Sequence, residues 1–481
     1  MKCLMLLRII ALALSIAVPM MLPAFLMALA TGELLLIRAF AIPLIITLCC
    51  AVPALGSFKK TRFSFGPQEG FLLVFLTWIG ISLLGALPYY FSGRGFRFVD
   101  AVFESACGFA TTGATTLSDV EDLPRVLLLW RSSTHWFGGM GIILLTVALM
   151  PLLGVGGFQL IKAEAPGPEK EKVTPKITAT AKILWLVYCA LTLLLFLLYL
   201  LGGMDSFDAL CHAFTTLASG GVSTKNQGIR FYDSPFIDLV STVFMFLAGL
   251  NFNLYVRLLK GKFTDLWHNS EARAYLLVFI GASALITLSL RDVYGSLGTA
   301  ARYGIYQAAS ILSTTGAVVA DYEAWPSLAQ ASLFVLMLIG GCSGSTAGGI
   351  KVIRHVVLWK QAGNELRQLI YPQGIFTVQL NRKVGRKDVV YGVAGFVFLY
   401  VLVITATTLI TAASGTDLFS AFSAALSVTG NIGVGFGTIG PSHTYGAFPD
   451  HIKWLFALVM ISGRLELWTV VVLFSPEYWR R

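Results

Sequence analysis

The chain has 481 residues, 56% of them hydrophobic and only 12% charged, with a mean hydropathy of +0.76. A water-soluble domain carries about 25% charged residues, so this composition excludes a soluble protein and points to a polytopic membrane protein. The formal net charge of +10 reads as membrane topology and contact with anionic lipid, not as nucleic-acid binding.

Crossing a ~30 Å hydrocarbon core as helix takes about 20 apolar residues. Ten such windows lie near 8–30, 39–57, 70–91, 128–153, 182–201, 235–256, 273–290, 328–358, 388–412 and 453–475. The first also resembles a secretory signal, with Lys2 and Arg8 ahead of a run ending Ala28-Leu29-Ala30; its length favours a span. The stretch 328–358 is too long, and too polar in its middle, for one plain helix. With both termini on the cytoplasmic side, 24 of the 35 Lys and Arg residues fall on that side. These include Lys59, Lys60 and Arg62, the Lys-, Glu- and Pro-rich linker 162–182, Arg257 to Arg273, and Lys351 to Lys387. The bias follows the positive-inside rule. Seven scattered cysteines without CxxC spacing, and six histidines without ligand spacing, leave no metal or disulfide framework.

Four of the external connections repeat one pattern. They run from Asp100 to Gly113, Asp208 to Gly221, Tyr303 to Gly316 and Asp417 to Gly430, each over an offset of 13 residues. About ten residues make a half-crossing helix, and the glycine segment then returns extended. Asp at the start suits an N-cap and the positive end of the helix dipole, whose negative end then points at the membrane midplane. Irregular backbone at that depth must line a watery path or be buried in protein. The expected architecture is all-α. Two leading helices (1–66) precede four span–pore-loop–span repeats, at 67–163, 164–262, 263–362 and 363–481, around one pore.

The aligned tripeptides are Thr111-Thr112-Gly113, Ser219-Gly220-Gly221, Thr314-Thr315-Gly316 and Val428-Thr429-Gly430. Rings of backbone carbonyls replace the hydration shell of potassium in selective pores, and glycine permits the torsions that aim successive carbonyls one way. No carboxylate lies in these tripeptides, which argues against a divalent ion. The permeating ligand is therefore expected to be potassium, with no cofactor in this chain. One glycine common to all four stretches predicts a short filter that is not strictly fourfold.

Span eight is interrupted by Gly340-Gly341-Cys342-Ser343-Gly344-Ser345-Thr346-Ala347-Gly348-Gly349. Each glycine weakens a helix by roughly 1 kcal/mol, and paired glycines around Ser and Thr suit a broken helix, an intramembrane gate below the filter. Close packing of small residues between helices is the plainer reading. Arg464 falls within the last span, where an unpaired arginine costs at least ~2.5 kcal/mol. It reads either as a pore-tuning charge or as half of an internal salt bridge; Glu466, two positions on, falls on another face of the helix, and Glu104 on the first half-helix is a candidate partner. His135-Trp136-Phe137-Gly138-Gly139-Met140-Gly141 reads as a tightly packed span start.

The layout resembles the TrkH branch of the Trk/Ktr/HKT potassium transporter superfamily. The resemblance covers essentially the whole chain and includes Ala110-Thr-Thr-Gly-Ala-Thr-Thr116, the break at 340–349, and Ser462-Gly-Arg464-Leu-Glu-Leu467. It implies potassium uptake at a bacterial inner membrane by a homodimer docked on a cytosolic nucleotide-binding regulatory ring of the TrkA type. It also implies that Gly113 goes with potassium, since serine there is associated with sodium-selective members. This chain has no Walker A sequence and no GxGxxG that opens a soluble helix, so any nucleotide control must come from another subunit. A secondary transporter coupled to protons or sodium is the alternative, against which four same-direction repeats argue. A membrane-embedded enzyme would need a catalytic cluster that the sequence lacks.

Overall fold

The computed structural model describes residues 2–56, 67–153, 177–262, 264–381, 383–384 and 387–480. Lys59, Lys60, Arg62, the boundary at 163/164 and most of the 162–182 linker lie outside the described residues. Among the described residues the regular elements are helices apart from a two-residue antiparallel ladder, Gln379–Leu380 against Lys383–Val384.

Three leading helices, α1 (Lys2–Leu14), α2 (Ala17–Thr31) and α3 (Leu34–Gly56), make two apolar spans and pack against α4 and α6 of the first repeat. The first repeat is α4 (Pro67–Tyr90), α5 (Phe98–Ala110) and α6 (Arg125–Leu153). The second is α7 (Ile177–Leu201), α8 (Ser206–Leu217), α9 (Pro235–Ala248) and α10 (Phe252–Leu259). The third is α11 (Ser270–Ser289), α12 (Leu297–Leu312), α13 (Ser327–Met337) and α14 (Val352–Ile370). The fourth is α15 (Lys387–Ala413), α16 (Leu418–Gly430), α17 (Asp450–Arg464) and α18 (Leu467–Val471).

Each expected span coincides with a helix or a broken helix. Six helices are long and apolar enough to cross a membrane alone, and two bent pairs bring the number to eight. Those pairs are unexpected breaks: α9 and α10 meet at 95°, and α17 turns 116° into the helical segment Leu467–Phe474. The second span of three repeats is therefore interrupted at corresponding places, not that of the third alone.

The solvent logic is inverted relative to a soluble protein. Long spans leave Leu186, Leu197, Leu277, Leu288, Phe398 and Leu409 exposed, as a lipid-facing surface requires. The half-helices α5, α8, α12 and α16 are enclosed, with Ser105, Thr215, Ser310 and Ser427 on buried faces. Each half-helix packs on the first span of its own repeat and on the second span of the repeat before it. The contacts α6–α8, α9–α12, α13–α16 and α17–α5 close a ring around one axis.

Candidate ion-permeation site

The four half-helices end in the same way. A residue in left-handed conformation closes each: Thr111 (φ 53), Ser219 (φ 53), Thr314 (φ 54) and Asn431 (φ 53). The next N–H reaches back five residues: Thr112 to the Cys107 carbonyl (3.0 Å), Gly220 to Thr215 (2.8 Å), Thr315 to Ser310 (2.8 Å) and Ile432 to Ser427 (3.0 Å). This is the Schellman cap. One residue further stands a glycine with positive φ: Gly113 (85°), Gly221 (58°), Gly316 (72°) and Gly433 (90°).

The fourth stretch thus differs from the expected one. Val428, Thr429 and Gly430 are the last turn of α16, and the Thr429 hydroxyl donates to the Ala425 carbonyl at 2.6 Å. The backbone matching the other three repeats is Asn431-Ile432-Gly433, three residues on. Alignment by Asp caused the slip. Asp205 and Asp417 are the N-caps of α8 and α16, whereas Asp100 and Asp208 lie inside first turns. Fourteen residues separate both N-caps from their left-handed residues, Ser219 and Asn431. The signal available was Asn431 itself, because asparagine is among the few non-glycine residues that visit this conformation routinely.

The four segments touch in cyclic order. A Cβ built on Gly113 would stand 2.5 Å from the Gly220 carbonyl oxygen, and one on Gly221 2.0 Å from that of Thr315. One on Gly316 would stand 1.9 Å from the Ile432 oxygen, and one on Gly433 2.3 Å from that of Thr112. Four carbonyl-bearing segments therefore meet at a spacing that admits no side chain. Asn431 ties the fourth to the first, its Nδ2 donating to Thr112 Oγ1 (2.9 Å) and to the Met460 carbonyl (3.0 Å). Gly220 stands where the other stretches have Thr or Ile because the His135 ring fills that space, with Nδ1 only 2.1 Å from a Cβ there. The His135–Gly141 motif thus backs the ring as well as packing a span. A Cβ on Gly138 would meet the Phe109 carbonyl oxygen at 2.2 Å, and one on Gly139 would meet Ala218 Cα at 3.0 Å.

Above the ring, the returning segments interlock. Asn226 of the second repeat accepts from Val120 N (2.7 Å) and donates to Asp119 (2.8 Å), and with the Glu121 N–H this holds the Asp119 carboxyl below its usual range. Tyr322 OH donates to the Gly435 carbonyl (2.6 Å), and the Tyr445 N–H donates to that of Thr115 (2.8 Å). Glu104 does not meet Arg464. It is buried against Arg131 at 3.1 Å and accepts from Thr115 Oγ1 and Thr116 N.

Below the ring, residues 340–349 form a pinched loop. Gly340 N donates to the Ile350 carbonyl (2.9 Å) and Val352 N to that of Gly341 (3.1 Å). The loop docks into the break between α9 and α10: Cys342 N donates to the Gly249 carbonyl (2.8 Å), and Phe252 N to that of Gly344 (3.0 Å). Thr346 Oγ1 reaches the Leu217 carbonyl (3.1 Å), and Gly348 N reaches Thr314 Oγ1 (2.6 Å). Ser345 Oγ bonds the Cys342 carbonyl inside the loop (2.6 Å), while Gly344 and Gly349 take positive φ of 73° and 70°. A Cβ on Gly348 would lie 2.3 Å from the Gly430 carbonyl oxygen, so the loop sits against the end of α16. Sequence reasoning missed Glu271, a buried carboxylate on α11. It accepts from Ser343 N (2.6 Å) and Ile353 N (3.2 Å), stapling both arms of the loop.

Arg464 is answered by carbonyls. Its Nη1 donates to Thr346 (2.6 Å), and its Nη2 donates to Gly138 (2.6 Å) and Gly139 (3.0 Å), so it bridges the loop to α6. A cavity of about 120 Å³ lies here, lined among others by Gly138, Ala347, Gly348, Lys351, Arg464 and Glu466. Lys351 Nζ bonds the Ala347 carbonyl, and Arg354 pairs with Glu466 at 2.5 Å. Among the described residues no group of His, Cys, Asp and Glu could hold a metal ion. The oxygen donors that converge belong to the backbone.

Residues 37–481 match the family model for TrkH, a cation transport protein. The chain is 39% identical over 427 residues to the Trk system potassium uptake protein TrkH of Escherichia coli K12, covering 88% of each chain. It is 37% identical over 483 residues to the TrkH of Halomonas elongata, covering 99% of each. The crystal structure of the potassium transporter TrkH from Vibrio parahaemolyticus superposes with a TM-score of 0.88 at 33% identity, covering 100% of both chains.

Proposed function

This chain belongs to the TrkH family of cation transport proteins, and from that premise we propose that it conducts potassium into the cell across a bacterial inner membrane. The observation that carries the reading is the cyclic contact of Gly113, Gly221, Gly316 and Gly433 with the carbonyls of Gly220, Thr315, Ile432 and Thr112. Four half-helix carboxy ends converge there, and their partial negative charge favours a cation. The relatives matched are named as potassium uptake proteins.

In this reading Thr111–Gly113, Ser219–Gly221, Thr314–Gly316 and Asn431–Gly433 form the filter. The loop 340–349 is the gate in its closed position, held by Glu271, and Arg464 places a positive charge at its base. The upper face carrying Asp119 and Tyr322 is the outside, and the basic face carrying Lys351 to Lys387 is the cytoplasm. A homodimer and a cytosolic nucleotide-binding regulatory subunit complete the system. The exposure of Trp359 (84%), Leu369 (80%) and Ile375 (93%) on and after α14 supports a covering chain on the lower face.

The test is flux into liposomes holding the purified protein, with potassium, rubidium or sodium outside and a voltage imposed. Uptake of potassium and rubidium above sodium, driven by voltage alone, establishes a selective passive pore. Uptake that needs a proton or sodium gradient keeps the fold and moves the mechanism to coupled transport. No preference for potassium in either condition overturns the filter.

A further inference from the structure

A second cavity, of about 240 Å³, lies on the outer side between the second and third repeats, away from the pore. It is smaller than the ~300 Å³ typical of drug-sized ligands. Trp325 and Val319 form a buried floor. Tyr294 and Tyr303 form walls, their ring centroids 5.0 Å apart, and the Trp325 indole N–H donates to Tyr294 OH at 3.1 Å. That bond fixes one wall on the floor.

Two opposite charges line the same cavity without satisfying each other. Arg230 and Asp321 are both exposed lining residues, and among the described residues neither has an ion-pair partner. Asp321 is held in place as the N-cap of a short 3-10 turn, accepting from Glu323 N at 3.1 Å. Two cations of the same connections are paired: Arg302 bridges Asp233 and Asp238, and Lys225 meets Asp208. A guanidinium offers a fork for an anionic group. Aromatic faces beside a carboxylate attract an ammonium.

We propose that this cavity binds a small zwitterion. Its anionic group meets Arg230, and its ammonium sits between Asp321 and the rings of Tyr294, Tyr303 and Trp325. The chemistry has two sources, an aminophospholipid headgroup of the outer leaflet or a free betaine-like solute. Val319, Ala320 and Asp321 also belong to the segment that returns from Gly316, so an occupant braces the third repeat from behind. The site stands independently of the filter reading.

The test is calorimetric titration of the full-length protein with glycerophosphoethanolamine and, separately, with glycine betaine, comparing wild type with Arg230→Ala and Asp321→Asn. Asn keeps the cap that Asp321 provides, and unchanged potassium flux of each variant in liposomes verifies its fold. Saturable binding of either probe, weakened about tenfold or more by each substitution, supports the site. A response to glycerophosphoethanolamine alone assigns it to lipid, and one to betaine alone assigns it to a free solute. Absence of saturable binding by both probes overturns the proposal, as does binding that neither substitution alters.

Discussion

Gly433 lies against Thr112, the point where the fourth repeat meets the first. A Cβ on Gly433 would stand 2.3 Å from the Thr112 carbonyl oxygen, and its φ of 90° is itself unfavourable to any side chain. Asn431 Nδ2 reinforces the seam at Thr112 Oγ1. This seam closes the ring using residues more than 300 positions apart.

Gly433→Ala is expected to lower potassium-over-sodium selection in liposome flux by at least about tenfold, a change of about 1.4 kcal/mol. Gly430→Ala is the control. Its nearest contacts are side-chain atoms of Ile432 and Tyr400 at 3.2 Å, and alanine favours the helix that Gly430 ends. It should retain selection. The reverse order of effects would return the fourth filter stretch to Val428–Gly430.

Gly113→Ser introduces a Cβ 2.5 Å from the Gly220 carbonyl oxygen at a φ of 85°. The second segment must retreat, which withdraws one oxygen and leaves a site less discriminating between potassium and sodium. Competition flux should show sodium entry rising relative to potassium. Equal selectivity in the variant and wild type would remove Gly113 from the filter.

Glu271→Ala leaves the N–H groups of Ser343 and Ile353 without their carboxylate. A buried donor left unpaired costs roughly 1–3 kcal/mol, and the cost falls on the pinched loop. Basal potassium leak should rise about tenfold or more, while Glu271→Gln, which keeps an acceptor, should rise less. Leak equal to wild type in both variants would mean that the loop does not gate.

Arg131→Met isolates the buried Glu104 carboxylate and removes the bond from Arg131 Nη1 to the Ser223 carbonyl (3.3 Å). Breaking one side of such a pair costs about 3–5 kcal/mol, so thermal unfolding in detergent should move sharply downward. Glu104→Gln combined with Arg131→Met should recover part of the loss. Full additivity of the two single substitutions would show that the pair is not coupled.

The sequence by itself determined what local chemistry can carry. Apolar windows of membrane length marked the spans, the Lys and Arg asymmetry suggested their orientation, and recurring half-helix–glycine units announced a repeated fold. The five glycines of 340–349 were enough to break span eight, because a helix cannot absorb them. The tertiary structure decided what depends on contact across repeats. The 13-residue spacing pointed to Gly430, and the Schellman cap at Asn431 with the neighbouring Thr112 carbonyl places Gly433 in the matching position instead. The breaks after Ala248 and Arg464 carry no glycine cluster like that of 340–349. They are set where a loop from another repeat docks, or where Arg464 turns toward the carbonyls of Gly138, Gly139 and Thr346. Glu271 looked like an ordinary helix-entry acid until the loop folded onto it. Partners that lie far apart in the chain leave no local periodicity, so their pairing is decided only when the ring closes.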